Sequence, residues 1–197
     1  EEGDVFIHAG DLMYEGSEPE WKPVKESLAA MPQAKKYYIP GNHDYHAFLY
    51  DGVAMTQMRK EAKVQVVTRH KPIVTMPNGM RMLGLPYVTG LPGWAYNVDE
   101  QWLYEYLKSI TEGQQIDVVV SHSPMFGTLD AIYPLEDTPR KQEHVGCLAY
   151  NKWFYEREQK PLVWISGHIH ESYGTAVVEG CHFYNVAMCD RKYLQVQ

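Results

Sequence analysis

The chain has few of the residues that mark a disulfide-rich or a membrane protein. Only three of its 197 residues are cysteines, Cys147, Cys181 and Cys189, and no two of them have the CxxC spacing. An odd set without that spacing indicates ordinary thiols of a reducing compartment, so we expect a cytoplasmic location. No apolar run approaches the roughly 20 residues that a membrane span needs, and no membrane association is expected.

Clustered positive charge is also absent from the sequence. Lys and Arg number 18 against 25 Asp and Glu, the formal net charge is −7, and the two signs are mixed along the chain. Because nucleic-acid affinity comes mostly from clustered Lys and Arg, we expect no stable nucleic-acid binding. A small phosphorylated substrate remains compatible with this charge, since bound metal ions can supply positive charge locally.

The chain contains no repeat, no low-complexity tract and no linker, and its length suits one compact domain, which we place at residues 1–197. Hydrophobic residues make up 45% of the chain, which is enough for a core and too many for a disordered segment. The chain starts Glu1-Glu2-Gly3-Asp4, without an initiator methionine. We therefore expect the domain to be incomplete at its amino terminus.

Short apolar runs and helical patterns alternate along the chain. Ser17 and Glu20 form a capping-box signal for a helix that runs to about residue 30. Asn78-Gly79 is the sequence signal of a two-residue hairpin turn. The remaining predicted strands are 5–9, 37–40, 72–76, 80–85, 116–120, 162–165 and a final hairpin over 174–187, and the remaining predicted helices are 51–62, 98–110 and 147–158.

Four of the predicted strands end in clusters of Gly, Asp, Asn or His. In layered α/β folds, ligands collect beyond the carboxyl ends of adjacent strands, so we expect these clusters to converge. Asp and Asn offer oxygen ligands, His offers nitrogen, and the clusters contain no Cys, which favours Mn, Fe, Zn or Ni over a structural sulfur site. The clusters are Gly10-Asp11, Gly41-Asn42-His43-Asp44, Ser121-His122 and Gly167-His168-Ile169-His170.

In this order, the four clusters resemble the signature of the calcineurin-like metallophosphoesterases. The resemblance runs from Gly10 to the final hairpin and implies a four-layer α/β/β/α sandwich of two mixed sheets whose first strand is missing from this chain. Three further stretches are similar to the small phosphodiesterase branch that contains the MPPED proteins, which act on cyclic nucleotides and model diesters. These stretches are residues 6–11, 145–148 and 167–174.

The resemblance also implies roles for individual residues, in a site that holds two divalent transition metals. Asp11 matches the aspartate that bridges the two metals, and His170 matches a ligand of the first. His43 matches the histidine near the leaving group, and Asp44 the acidic residue that orients it. The ligands of the second metal are matched by Asn42, His122 and His168.

The family pattern begins with an Asp-x-His motif upstream of Gly-Asp, and no such motif precedes Gly10-Asp11 here; the Asp-x-His of this chain, Asp44-Tyr45-His46, lies after that position. The upstream motif supplies two ligands to the first metal, so the first site keeps only Asp11 and His170 here. We expect the motif to lie upstream in the natural protein, unless the protein is a divergent form.

The resulting hypothesis is a phosphodiesterase that cleaves small diesters or cyclic nucleotides with a metal-bound hydroxide, assisted by His43. A phosphomonoesterase or protein phosphatase is one alternative. The other is a weakly active metal- or nucleotide-binding regulatory protein, which an incomplete first site would permit. We interpret His8 as a core histidine, Trp94 as a packing residue, and His144 and Asp130 as surface residues of a long loop.

Overall fold

The structure is a computed structural model that describes residues 3–45, 60–132 and 143–188, together with positions 49, 56 and 58. Most of the helix expected over 51–62 lies outside the described residues. Over the described ranges the chain forms eleven strands, three α-helices with described bounds and one short 3₁₀ helix, and positions 56, 58, 60 and 61 are helical as well. The α-helices are α1 (Glu18–Ala30), α2 (Glu100–Thr111) and α3 (Leu148–Glu156), and the 3₁₀ helix is His170–Ser172.

The smaller of the two main sheets has the strand order β1-β2-β3. Its described strands all run parallel. Parallel strands need a long crossover, and α1 supplies the one between β1 and β2. The bounds are β1 (Val5–His8), β2 (Lys35–Tyr38) and β3 (Val64–Val66).

The larger sheet has the order β10-β11-β9-β6-β5-β4 and mixes parallel and antiparallel pairs. Its central strands β5, β6 and β9 are parallel neighbours, while hairpins form its two edges. A separate two-stranded ribbon pairs β7 with β8. The bounds are β4 (Ile73–Thr75), β5 (Arg81–Leu85), β6 (Val118–Ser121), β7 (Ala131–Ile132), β8 (Glu143–His144), β9 (Val163–Ser166), β10 (Gly174–Val178) and β11 (Cys181–Asn185).

Successive side chains of each strand face opposite sides of the sheet, and this alternation produces four layers. In β2, Tyr38 shares a buried cluster with Trp21 of α1, whereas its neighbour Tyr37 belongs to the cluster between the two sheets. In β6, Val120 also lies between the sheets, and Val119 belongs to the cluster under α2 and α3. The order helix, sheet, sheet, helix confirms the predicted sandwich.

The hairpin at Asn78-Gly79 forms, but its loop differs from the expected two-residue turn. The Met76 amide donates to the Met80 carbonyl at 2.8 Å, and the Gly79 amide donates to the Met76 carbonyl at 2.9 Å. Three residues, 77–79, therefore connect the strands. Gly79 takes a φ of 86°, a left-handed value that a glycine adopts without strain.

Two expectations from composition can be compared with the described residues. No helix within them is both long enough and apolar enough to cross a bilayer. Cys147 and Cys181 are buried free thiols, as expected, while Cys189 lies outside the described residues.

Candidate metal centre

The carboxyl ends of four strands meet at one point, as the sequence predicted. Asp11 follows β1 and Asn42 follows β2 in the smaller sheet, while His122 follows β6 and His168 follows β9 in the larger one. The ligand atoms of Asp11, His122 and His168 all lie within 4.8 Å of one another. The fourth predicted ligand, Asn42, joins them through His122, because its Oδ1 lies 2.9 Å from the His122 Nε2.

His122 is fully buried at the centre of the cluster, and its ring has one orientation fixed by the backbone. The ring Nδ1–H donates to the Ala9 carbonyl at 2.8 Å. That bond leaves Nε2 to face the Asn42 Oδ1 at 2.9 Å and the Asp11 Oδ2 at 3.3 Å. A backbone carbonyl on the far nitrogen is the usual way in which a metal-ligating histidine is oriented.

The donor set of this cluster fits a divalent cation. In the neutral His122 ring that donates through Nδ1, the Nε2 lone pair points toward two oxygen atoms that also carry lone pairs. Three such atoms repel one another unless positive charge lies between them, supplied by a cation or by a proton on Nε2. Burial lowers the pKa of His122, but Asp11 and the Ala9 carbonyl together outweigh burial and raise that pKa, so a metal that binds here replaces the Nε2 proton. Nitrogen and oxygen ligands without thiolate suit Mn, Fe, Zn or Ni, the metals expected from the sequence.

Two of the clustered side chains have the protonation state that a metal ligand needs. Burial raises the pKa of the Asp11 carboxyl, but the neighbouring His122, the hydrogen bond from the His43 amide and the neighbouring His168 together hold that pKa well below its usual range. Burial and the neighbouring His122 lower the pKa of His168 to about 3, so that its ring is neutral at physiological pH. An ionised carboxylate and a neutral imidazole are the forms that coordinate metals.

The backbone around the cluster is strained and closely packed. Asp11 and His168 have φ values of 57° and 67°, which are uncommon for non-glycine residues and concentrate at functional sites. A Cβ on Gly41 would lie 2.3 Å from the Asp11 Oδ1. His8 supports the turn before Asp11 by accepting from the Gly10 amide at 3.2 Å, and burial lowers its pKa to about 4, as expected of a core histidine.

The structure shows the Asp44 carboxylate on backbone amides, and its expected role of orienting His43 stays a prediction. Asp44 is fully buried, and its carboxylate accepts backbone amides from Gly41 at 2.7 Å, Asp11 at 2.8 Å and Met13 at 3.2 Å. Burial and the nearby Asp11 charge raise the pKa of Asp44 to about 6. Asp44 therefore holds together the two loops that carry Asp11 and Asn42.

Asp44→Ala is expected to reduce the free energy of unfolding by about 3 kcal/mol or more. Each buried amide left without an acceptor costs about 1–3 kcal/mol, and this change removes the acceptor of three. Urea unfolding followed by circular dichroism measures the loss. His43→Ala, which leaves these amides paired, is the matched control. A loss below about 1 kcal/mol for Asp44→Ala would contradict the structural role.

His43 has hydrogen-bond partners of its own. Its Nδ1–H donates to the Tyr14 carbonyl at 2.5 Å, while its own amide donates to the Asp11 Oδ1 at 3.0 Å. The loop that carries Tyr14 is in turn fixed by Glu20 of α1, whose carboxylate accepts the amides of Tyr14 and Ser17, each at 2.9 Å. The helix start predicted from Ser17 and Glu20 thus also positions His43.

Sequence reasoning did not place Trp94 beside the site. Its ring lies 4.7 Å from the His43 ring between centroids, and the residue is 40% exposed, so Trp94 packs on His43 at the surface and not in the core. The ring of Tyr14 also lies beside the His43 ring, with centroids 5.8 Å apart, and Tyr14 is 61% exposed. The signal that was available in the sequence is a tryptophan that directly follows the turn residues Gly90, Pro92 and Gly93.

His170 lies in the 3₁₀ helix that follows His168 and is not part of the three-residue cluster. It lies two residues after His168 in the chain. The ligand role of His170 at a first metal remains a prediction. Asp11 and His170 are the two residues that this chain offers to that site.

The long loop after Met125 is anchored to the turn that carries His168. Asn185 donates to the carbonyls of Leu129 at 3.0 Å and Ile169 at 2.9 Å. Within the loop, the buried Asp130 accepts from the His144 Nδ1 at 2.6 Å. Asp130 is therefore an internal support of the loop, contrary to our expectation of a surface charge.

Comparisons with known proteins agree with this geometry. The chain is 29% identical over 212 residues to metallophosphoesterase domain-containing protein 1 of Homo sapiens, and equally to that of Mus musculus. These matches cover 98% of this chain and 62% of each relative, so the chain spans less than two thirds of their length. A solved structure, 13% identical, superposes with a TM-score of 0.66 over 93% of this chain and 79% of its own, which shows the fold.

The sequence model of the calcineurin-like phosphoesterase family matches residues 1–172, a range that includes Asp11, Asn42, His122 and His168. The match covers all four strand ends that form the cluster. The chain therefore belongs to the calcineurin-like phosphoesterase family.

Proposed function

We propose that the chain hydrolyses phosphodiesters in a metal-dependent reaction. The observation that carries this proposal is the buried convergence of Asp11, Asn42, His122 and His168, with His43 fixed directly beside it. Membership of the phosphoesterase family supports the reaction type. The chain spans 62% of the length of its human relative, so the activity of a whole protein is part of this proposal.

A divalent metal held by Asp11, Asn42, His122 and His168 would supply Lewis acidity and a water of lowered pKa. The chain's own residues would then orient the ester and handle its protons. Asp11 lies at the centre of this arrangement, since its two oxygens contact the His43 amide and the His122 ring. The proposal includes two metals in a complete site, with His170 as a ligand of the first metal.

His43 is the residue that we propose as proton donor to the departing oxygen. Its Nδ1–H is engaged by the Tyr14 carbonyl, so a proton on Nε2 is the one available for transfer. In the reaction, the oxygen of water forms a bond to phosphorus and the P–O bond to the leaving group breaks. The leaving oxygen takes the His43 proton, and a proton from the attacking water restores the ring.

Charge supports a diester over a monoester. A phosphodiester carries one negative charge at neutral pH, whereas a monoester carries nearly two. The site contains the Asp11 carboxylate, and the chain has a formal net charge of −7. A diester therefore needs less positive charge from bound metal than a monoester does.

With Mn²⁺ present, bis(p-nitrophenyl) phosphate is expected to be cleaved faster than p-nitrophenyl phosphate. Nitrophenolate release reports both rates, and the relevant quantity is the ratio of the two kcat/KM values. The measurement is made on this chain and on a version extended upstream. A monoesterase rate that equals or exceeds the diesterase rate across several metals would favour a phosphomonoesterase or protein phosphatase.

A metal- or nucleotide-binding regulatory protein is the second candidate function. It is favoured by the two-residue ligand set that this chain offers to the first metal, Asp11 and His170. Tight metal binding without turnover of either substrate, in both the chain and the extended version, would identify this alternative.

A further inference from the structure

Trp94 presents an exposed aromatic ring beside the proposed proton donor. The residue is 40% exposed, and its ring lies 4.7 Å from that of His43 at an interplanar angle of 60°. His43 follows the proposed ligand Asn42, and its amide bonds Asp11. The group that leaves toward His43 therefore departs toward the Trp94 ring.

The loop that carries Trp94 is fixed by its own contacts. The Trp94 amide donates to the Leu91 carbonyl at 3.2 Å, and the Asn97 side chain accepts the Leu91 amide at 2.8 Å. From the neighbouring segment, the Tyr45 hydroxyl donates to the Gly93 carbonyl at 2.7 Å. A loop held by these hydrogen bonds keeps the backbone of Trp94 in place before a ligand binds. This order reduces the entropy lost on binding.

The other tryptophans of the chain have different surroundings. Trp21, Trp153 and Trp164 are at most 3% exposed and lie in the core. Trp102 is 47% exposed, but its ring stacks on that of Tyr106 at 5.2 Å and 7°. Trp94 instead combines a large exposed fraction with contact to a residue of the proposed site.

We propose that Trp94 is a specificity-determining residue that selects leaving groups carrying a planar ring. The inference rests on the proposed diesterase function, which it deepens by naming the class of leaving group. As His43 protonates the bridging oxygen, the ring attached to that oxygen packs on the indole face. Stacking of a base on an aromatic side chain contributes about 1–3 kcal/mol, which corresponds to roughly 5- to 150-fold in rate or affinity.

Kinetics of two diesters test the proposal. Methyl p-nitrophenyl phosphate has a planar leaving group, and methyl trifluoroethyl phosphate has none. Trp94→Leu should lower kcat/KM for the first about tenfold and change the second less than about twofold, while Trp94→Phe should retain most of the preference. Trp102→Leu, a change at an equally exposed tryptophan, is the control and should alter neither. Equal losses on both diesters would overturn the proposal and leave Trp94 as a support for His43.

A binding measurement separates this proposal from the hydrolytic one. Calorimetry compares phenylphosphonate with methylphosphonate on the metal-loaded chain. Wild type should bind the phenyl compound about tenfold more tightly, and Trp94→Leu should lose that preference. One outcome is that neither diester turns over while the wild type prefers phenylphosphonate and Trp94→Leu loses that preference. In that case the hydrolytic function fails and ring selection by Trp94 stands. Equal binding of both phosphonates by the wild type overturns the selection, whatever the turnover.

Discussion

His43→Ala is expected to lower turnover of a nucleotide diester by about 10²–10⁴-fold, the usual contribution of a positioned acid or base. A ribose alkoxide leaves poorly without a proton, whereas a nitrophenolate leaves comparatively well. The same variant should therefore lose much less activity on bis(p-nitrophenyl) phosphate. Rates on both substrates are measured on the metal-loaded chain at matched metal occupancy.

The exposed His182 of β11 provides a matched control, since it pairs with Val163 at the end of β9 opposite to the one that leads to His168. His182→Ala should leave both rates unchanged. If His43→Ala reduces both rates equally, or releases metal as well, His43 only positions its loop. The assignment as general acid would then be withdrawn.

His122→Ala is expected to abolish tight metal binding by the chain. His122 is the buried ring on which Asn42 and Asp11 converge, so its loss removes a ligand and the group that orders the others. Replacing even an outer partner of a metal ligand typically costs about 10–100-fold in affinity, and a direct ligand should cost more. Elemental analysis of protein purified without chelator should find one tight equivalent in the wild type.

His170→Ala should keep that tight equivalent, because His170 belongs to the proposed first site. Circular dichroism establishes that His122→Ala is folded, and a folded His122→Gln serves if the alanine variant is not. Two tight equivalents in the wild type would contradict the unequal sites. Retention of metal by folded His122→Ala would contradict the placement of the tight site.

The ligands could be predicted from the sequence because two local signals coincide at each of them. A short apolar run predicts a buried strand, and a hard-ligand residue at its end predicts a position at the carboxyl edge of a sheet. Asp11, Asn42, His122 and His168 all satisfy both signals, and the structure brings them together. Parallel pairing of β1 with β2 and of β6 with β9 makes the edges coincide.

The supports of the site could not be predicted in this way. Asp44 accepts backbone amides and His43 donates to a backbone carbonyl, and backbone groups are the same in every residue type. The place of Trp94 depends on how the loop over 89–97 folds back onto His43, a contact between residues about fifty positions apart. The parallel direction of the described strands of the smaller sheet likewise follows from tertiary packing.

The ligands are divided between the two sheets, and this division couples metal binding to the cohesion of the sandwich. Asp11 and Asn42 belong to the smaller sheet, and His122 and His168 to the larger. A cation bound by all four can exist only while the sheets are docked, so it stabilises the docked form by mass action. At a hundredfold excess over Kd this amounts to about 2.7 kcal/mol. A chelator should therefore act on this domain as a mild denaturant, lowering Tm by releasing one sheet from the other.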